Sequence, residues 1–80
     1  MWTGDVDNDW FKWQNWTNCV PAAITDVTIP AGRPNYPSVY GSNPVANSVT
    51  IQSGGTVTLN GGRTLETTDY INNQGTLIMT

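Results

Sequence analysis

The sequence predicts an all-β domain built as a parallel β-solenoid, with about two to three coils of 20–22 residues and an aromatic N-terminal cap. Similar segments recur along the chain: "VTIPAG" begins at Val27 and "VTIQSG" begins at Val49. At nearly the same interval, "IQSGGTVTL" begins at Ile51 and "INNQGTLIM" begins at Ile71. Stacked parallel coils explain this recurrence, whereas a meander of hairpins does not. The cap is indicated by the four tryptophans, which all lie between Trp2 and Trp16.

Residues 1–25 form the predicted cap, which contains a short helical turn. Trp10, Trp13 and Trp16 are spaced by three, which places them on one side of such a turn. Asp9 stands where an N-cap residue belongs, because its carboxylate can accept a hydrogen bond from a free backbone amide of the first turn. A buried aromatic cap covers the apolar end of the first coil and its open sheet edge. The structural residues of the cap are predicted to be Trp2, Trp10, Trp13 and Trp16.

Residues 26–80 form the predicted coils, which are interrupted by a proline-rich loop over 30–44. Proline blocks the hydrogen-bond ladder of a central strand, so this stretch is expected to be irregular. From Val45 onward, short β-branched runs alternate with Gly- and Asn-rich turns. The predicted strands are 48–52, 56–60, 63–67 and 76–80. The side chains predicted to point inward are Val49, Ile51, Val57, Leu59, Leu65, Ile71, Leu77 and Met79.

Composition excludes several classes of function. Only 11% of the residues are charged and the formal net charge is −3, so no basic patch can neutralise nucleic-acid phosphates. No apolar run is long enough to insert into a membrane. No signal peptide is visible, which favours a mature segment preceded by an added Met1. The single Cys19 is expected to be a buried, small apolar residue.

The order of several short motifs resembles one family of proteins. These motifs are "WTG" at 2–4, "DW" at 9–10, "NW" at 15–16, "VP" at 20–21, "DVTIPAG" at 26–32, "YP" at 36–37 and "VTIQSGGTVTLNGG" at 49–62. Together they resemble the N-terminal region of large secreted surface proteins of Bacteroidetes-type bacteria. In that family such a cap leads into a right-handed parallel β-helix, and the resemblance covers nearly the whole chain.

The resemblance implies a non-catalytic, adhesin-like structural module that is secreted or displayed on the cell surface. It also implies that the solenoid is right-handed. The chain stops at Thr80 within a strand-like run, which suggests an excised fragment or a short unit completed by another copy. The expected partners are therefore further solenoid coils of a larger chain, or another copy that pairs through the 76–80 edge. Two alternatives remain, a carbohydrate-binding module and a self-assembling solenoid subunit.

The alternating acids at the start of the chain are the candidate metal ligands. "DVDND" at 5–9 is similar to the oxygen-rich start of a calcium loop. A twelve-residue EF-hand loop beginning at Asp5 would need Gly at its sixth place and Glu at its twelfth, but Trp10 and Trp16 stand there. A looser Ca²⁺ site formed by Asp5, Asp7 and Asp9 remains open, and so does a polar loop that ends in an N-cap. No other cofactor is expected.

Aromatic side chains outside the cap are the candidate glycan contacts. Tyr36 and Tyr40 lie in the proline-rich loop, where loop residues are commonly exposed. An extracellular glycan is therefore a candidate ligand, and Tyr36 and Tyr40 are its predicted binding residues.

Catalysis is not predicted. The chain has no His, so Ser–His and Cys–His arrangements are both excluded. Beyond the proline-rich loop the only charged residues are Arg63, Glu66 and Asp69, and the carboxylate pair of Glu66 and Asp69 is most simply explained as solvated surface. We therefore expect that the protein is not an enzyme.

Overall fold

The computed structural model describes residues 1–80 as a β-rich chain with one short helical turn. That turn is a 3₁₀ helix of three residues, so no helix is long enough to cross a membrane. Six strands follow it in the chain. The elements are the 3₁₀ helix Trp13–Asn15, β1 Asp26–Ile29, β2 Ser38–Val39, β3 Val45–Ile51, β4 Thr56–Leu59, β5 Glu66–Asn73 and β6 Thr76–Met79.

The strands form two separate parallel sheets. The first has the order β1-β3-β5 and the second the order β2-β4-β6, so successive strands of the chain alternate between the sheets. Val27 pairs with Val49 in the first sheet, and Val39 pairs with Leu59 in the second. Every pairing within the sheets is parallel, and no strand of one sheet pairs with a strand of the other.

The predicted β-solenoid is therefore wrong, although the chain is largely β as expected. The strands sort into two separate three-stranded sheets and no closed coil forms. Prolines limit strand formation in the segment that connects β1 to β3, because Pro30, Pro34, Pro37 and Pro44 have no N–H group to donate to a neighbouring strand. Strand β2 is consequently only two residues long. The fold is an all-β globule made of two parallel sheets.

The recurrences in the sequence coincide with the strand register at some positions and not at others. Val27 pairs with Val49, as the repeated "VTI" suggests. Ile71, in contrast, pairs with Val49 and not with Ile51. An irregularity opposite Ala46–Ser48 adds a residue to β5 and shifts its register. Thr56 then pairs with Thr76, because the turn before β6 is shorter than the turn before β4.

The hydrophobic core lies between the two sheets and extends to the N-terminal segment. Valine, isoleucine and leucine side chains of both sheets belong to one buried cluster together with three tryptophans. Their alternation along β1 and β4 follows the period of two that a half-buried strand requires. The buried members of the cluster are Trp2, Trp10, Trp16, Val27, Ile29, Val39, Ala46, Val49, Ile51, Val57, Leu59 and Leu65.

The N-terminal segment closes one end of both sheets. The backbone N–H of Trp2 donates to the carbonyl of Thr28 on β1 at 2.9 Å. The carbonyl of Asn8 accepts from the N–H of Ser38 on β2, also at 2.9 Å. Because β1 and β2 are the first strands of their sheets, these bonds lie along edges that would otherwise be unpaired. This end of the molecule is called the closed end below.

Two expectations about the N-terminal segment are wrong. Trp13 is 62% exposed, because the helical turn is confined to Trp13–Asn15 and does not place Trp10, Trp13 and Trp16 on one buried side. Cys19 is exposed and free, since it lies in an irregular stretch between the turn and β1. The buried part of the cap therefore comprises Trp2, Trp10 and Trp16.

A glycine in the turn between the two sheets has no room for a side chain. A Cβ atom on Gly55 would lie 2.8 Å from the carbonyl oxygen of Ile29 and 3.1 Å from that of Gln52. We expect Gly55→Ala to reduce the free energy of unfolding by about 1–3 kcal/mol, because backbone atoms must move to accept the methyl group. Urea denaturation followed by tryptophan fluorescence measures this difference.

The matched control for Gly55→Ala is Ser53→Ala in the same turn. Ser53 is exposed, so its replacement is expected to change stability by no more than about 0.5 kcal/mol. Equal stability of the two variants would show that the close approach at Gly55 does not constrain the fold.

Candidate functional site

Two of the three aspartates predicted as metal ligands, Asp7 and Asp9, form hydrogen bonds within the turn in which they lie. One carboxylate oxygen of Asp7 accepts hydrogen bonds from Asn15 Nδ2 at 2.7 Å and from the backbone N–H of Asp9 at 3.0 Å. The Asp9 carboxylate accepts from the N–H of Phe11 at 2.9 Å. The Asp5 side chain is exposed. No three His, Cys, Asp or Glu residues come together as a candidate metal site in this structure.

Asp9 makes one of the hydrogen bonds expected of it, yet it is not the N-cap of the helix. The bond to the N–H of Phe11 closes a turn that precedes the helix. Lys12 is the residue before the first helical position, and its side chain makes no capping bond. The acidic stretch thus shapes a loop that leads into the 3₁₀ turn.

Asp7 is the most strongly perturbed carboxylate of the chain. Lys12 Nζ lies 2.8 Å from Asp7 Oδ2, and both side chains are partly exposed. The hydrogen bond from Lys12, followed by those from the Asp9 backbone and Asn15, lowers the pKa of Asp7 to about 2. The same contact raises the pKa of Lys12. Asp7 therefore stays ionised in the folded protein well below neutral pH.

Asn15 is the buried polar residue around which the N-terminal segment is arranged. It is 0% exposed, and its Oδ1 atom accepts hydrogen bonds from the N–H groups of Val6 and Asp7 at 3.0 and 3.1 Å. Its Nδ2 atom donates to Asp7 Oδ1 and to the carbonyl of Asp9 at 2.7 and 3.0 Å. The amide group is thus fully satisfied inside the loop.

The backbone of Asn15 also bonds to the start of the chain. Its carbonyl accepts from the N–H groups of Thr3 and Gly4 at 2.7 and 3.2 Å. Asn15 was not singled out from the sequence. One local feature could have indicated it: Asn15 is a short polar residue at the end of a turn, directly before Trp16. At such a position a side-chain amide can form the hydrogen bonds that backbone N–H and C=O groups otherwise lack.

Three tryptophan rings pack against one another beside this network. Trp16 meets Trp2 edge to face, with ring centroids 5.2 Å apart, and meets Trp10 in the same way at 4.9 Å. Trp16 Nε1 donates to the carbonyl of Trp10 at 2.8 Å, and Trp2 Nε1 donates to that of Asn35 at 2.7 Å. Edge-to-face contacts of this kind add to the free energy gained by burying the rings.

The two tyrosines predicted to bind a glycan differ in their surroundings. Tyr36 is half-buried; its hydroxyl donates to the carbonyl of Pro30 at 2.7 Å and accepts from the N–H of Arg33 at 3.3 Å. Its ring packs against the core. Tyr40 is 63% exposed, and its hydroxyl accepts only from Ser38 Oγ at 3.2 Å. Tyr36 therefore braces the loop, and Tyr40 alone offers a free ring face.

The end opposite the closed end is formed by β5 and β6, and it is called the open end below. Each of these strands is the last in its sheet and pairs on one side only, β5 with β3 and β6 with β4. Their outer edges carry backbone N–H and C=O groups with no neighbouring strand. Such edges are templates for pairing with another strand.

The inward-facing rows of side chains also lose their cover at the open end. In one row Val27 and Val49 are buried, whereas Ile71, the next member, is 40% exposed. In another row Val39 and Leu59 are buried, whereas Met79 is 72% exposed. Apolar side chains that continue the core are thus left in contact with water at the open end.

The open end, with its two unpaired strand edges and its exposed apolar side chains, is the candidate functional site. Comparison with known proteins gives one match: a family model described as a domain of unknown function (DUF8693) covers residues 1–80. No curated protein and no solved structure matches the chain significantly. Function is therefore inferred from the geometry of the two ends.

The Asn15 network leads to a prediction about stability. We expect Asn15→Ala to reduce the free energy of unfolding by about 2–4 kcal/mol, because the N–H groups of Val6 and Asp7 lose a buried acceptor. Chemical denaturation measures the loss. Asn8→Ala is the control, since the exposed Asn8 contributes its backbone carbonyl and no side-chain hydrogen bond. A loss no larger than that of the control would show that the network is dispensable.

The lowered pKa of Asp7 predicts how stability depends on pH. Folding favours the ionised carboxylate, so its contribution is complete above the unfolded pKa of 3.8 and is lost as the pH falls towards about 2. We expect the melting temperature of Asp7→Asn to depend less on pH across this interval than that of the unmodified protein. Asp5→Asn, at an exposed site outside the network, should retain the original dependence. The same slope in all three proteins would contradict the assignment.

Proposed function

The chain belongs to the family described as a domain of unknown function (DUF8693), and we propose that it is a non-catalytic structural module with an adhesive role in a secreted or cell-surface bacterial protein. In this proposal the N-terminal segment closes one end of two parallel sheets. The open end accepts further parallel β-strands that continue both sheets. The observation that carries the proposal is the difference between these two ends.

The closed end is built to prevent strand addition. Backbone hydrogen bonds from Trp2 to β1 and from β2 to Asn8 occupy polar groups at the first edge of each sheet. The rings of Trp2 and Trp10, both 0% exposed, cover the adjoining part of the core. Natural β-proteins protect edges in this way because an unprotected edge pairs with other chains.

At the open end, no strand pairs with the outer edge of β5 or of β6. Strands β5 and β6 contain no proline, and their only charged residues are Glu66 and Asp69 in the first half of β5. Lysine and proline, two of the devices that keep an edge strand from pairing, are absent from both strands, and β6 has no charged residue. Two uncovered edges at one end, with uncovered apolar rows between them, favour addition of strands to both sheets at once.

An extracellular setting is supported by the ordered motifs that resemble secreted surface proteins and by the low content of charge. The adhesive role follows from the same resemblance. A structural role, as opposed to a catalytic one, is supported by the absence of histidine and by the use of Asp7 and Asp9 within a turn.

The proposal predicts that the open end accepts an added pair of strands. Thr80 bonds to the carbonyl of Leu59 just as Asn60 bonds to that of Val39, so a second copy of residues 61–80 placed after Thr80 continues the register. We expect the extended protein to melt several degrees higher. The amides of β5 and β6 should also exchange more slowly with deuterium, because their strands become internal.

The control extension carries the same residues in shuffled order. It keeps the composition and length but loses the apolar alternation that a new strand needs. Protection of β5 and β6 with the ordered extension and not with the shuffled one supports the proposal. Exchange that is unchanged by the ordered extension, measured in dilute protein, would refute it.

A further inference from the structure

We infer that Asn60 is a site of spontaneous deamidation, and that a hydrogen bond to Ser38 keeps this reaction slow while the protein is folded. Deamidation converts the side-chain amide of an asparagine to a carboxylate, so it adds a negative charge to the chain. The inference does not rest on the proposed function, because it depends only on the turn that joins β4 to β5 and on the contact of that turn with β2.

The residue that follows Asn60 makes its amide reactive. Deamidation begins when the backbone nitrogen of the next residue attacks the carbonyl carbon of the asparagine side chain. Of the nine asparagines in the chain, only Asn60 is followed by glycine, which has no Cβ atom to shield that nitrogen. Asn43, in the turn between β2 and β3, is followed by Pro44. The nitrogen of proline carries no hydrogen to lose, so this reaction is closed to Asn43.

The turn after Asn60 leaves the attacking nitrogen free. Gly61 and Gly62 have φ angles of +64° and +77°, and the N–H of Arg63 donates to the carbonyl of Asn60 at 3.3 Å. Two successive positive φ angles closed by such a bond are typical of a type I′ turn. Gly61 is exposed, and its own N–H donates no hydrogen bond within the protein. The nitrogen is therefore accessible to the water that must remove its proton.

The other reactant, the side-chain amide of Asn60, is bound to the neighbouring strand. Its Nδ2 atom donates to Ser38 Oγ at 2.7 Å and to the carbonyl of Val39 at 3.4 Å. Both acceptors belong to β2, which pairs with β4. Because Nδ2 is the atom that leaves as ammonia, both bonds must break before the reaction can be completed. The fold thus protects Asn60 through its leaving group.

Ser38 is itself held in position to accept this bond. Its backbone N–H donates to the carbonyl of Asn8 at 2.9 Å, which ties it to the N-terminal segment. Its hydroxyl accepts from Asn60 and donates to the hydroxyl of Tyr40 at 3.2 Å. Successive hydrogen bonds of this kind polarise and strengthen one another. The shorter of the two bonds to Asn60 is therefore the one expected to limit the reaction.

The reaction needs only water in addition to the chain. The backbone nitrogen of Gly61 loses its proton and forms a bond to Asn60 Cγ. The bond between Cγ and Nδ2 breaks, and Nδ2 takes up a proton and leaves as ammonia, so that a cyclic imide remains. Water then adds to either carbonyl carbon of the imide and opens the ring. One opening gives aspartate, and the other gives isoaspartate, in which the main chain passes through the former side chain.

Both products weaken the contact between β2 and β4. An aspartate at position 60 has no N–H group to donate to Ser38, and its carboxylate is brought towards the carbonyl of Val39, which is also an acceptor. Isoaspartate adds an atom to the main chain between β4 and β5. Deamidation therefore acts as a lesion that lowers the stability of the second sheet.

The reaction is measured at every asparagine by incubating the protein in neutral buffer, with and without urea, and mapping its peptides by mass spectrometry. We expect Asn60 to react fastest in the unfolded chain and Asn43 not to react. In the folded protein the rate at Asn60 should be lower by about tenfold or more, because reaction requires local opening. If Asn60 reacts no faster than Asn73 in urea, the assignment of the site is overturned. Equal rates at Asn60 with and without urea overturn its protection by the fold.

The role of Ser38 is tested in the folded protein. Ser38→Ala should raise the rate at Asn60 by about two- to tenfold, the factor that corresponds to the loss of one hydrogen bond. Ser42→Ala is the matched control, since Ser42 is exposed and its side chain forms no hydrogen bond. Circular dichroism establishes that both variants are folded. Equal rates in the two variants would show that Ser38 does not protect Asn60.

A variant that carries the product charge tests the same contact without waiting for the reaction. Asn60→Asp should have a lower melting temperature than the unmodified protein. Asn43→Asp adds the same charge in the turn between β2 and β3. It keeps an oxygen that can accept from the N–H of Thr64, as Asn43 Oδ1 does at 2.9 Å, so its stability should change less. Equal melting temperatures for the two variants would contradict the protective bond.

Discussion

The buried amide of Asn15 is the interaction on which the N-terminal half of this fold depends. An unpaired amide in such a place would cost several kcal/mol, whereas a fully bonded one fixes the loop around it in a single conformation. Through its side chain and its carbonyl, Asn15 holds the stretch from Thr3 to Asp9 in place. That stretch in turn presents Trp2 and Asn8 to the first strands of the two sheets. A local polar network thus holds the segment that bonds to the first strand of each sheet.

The two ends of the fold differ in how well the core is covered. Core side chains are covered by tryptophan rings at one end and become progressively exposed towards the other. A chain of this size buries only about 60% of the surface that it exposes when unfolded, so an uncovered row of apolar side chains is a substantial loss of stability. Covering β5 and β6 would therefore add to the stability of the fold.

The sequence predicted the β content and the burial of Trp2, Trp10 and Trp16, because alternation and aromatic clustering are local signals. It did not predict that the strands form two separate sheets, since the division depends on the turns, at each of which the chain passes from one sheet to the other. The exposure of Trp13 was missed for a related reason. Spacing by three indicates one side of a helix, but the helical turn is too short to include Trp10.

The candidate site was only partly accessible from the sequence. Strand β6 lies at an unpaired edge, and its strand-like pattern was visible in the sequence. That β5 also contributes to the open end could not be predicted from the sequence. It depends on the strand register, which an added residue opposite Ala46–Ser48 shifts. The aspartates were attractive ligands by type, but the oxygens of Asp7 and Asp9 satisfy backbone N–H groups whose positions only the folded loop defines.

The burial of Asn15 has a consequence for how this protein can be produced. Asn15, Trp16 and Thr17 form an Asn-x-Thr sequon, which eukaryotic secretory cells recognise as an acceptor for N-linked glycans. Both protons of the acceptor amide are engaged and the side chain is inaccessible, so the folded domain offers no attachment point. An oligosaccharide transferred before folding would take the place of the hydrogen bonds from Asn15 Nδ2 to Asp7 and Asp9. In a glycosylating host, glycan transfer to Asn15 therefore competes with folding of the N-terminal segment. Expression in bacteria avoids this competition.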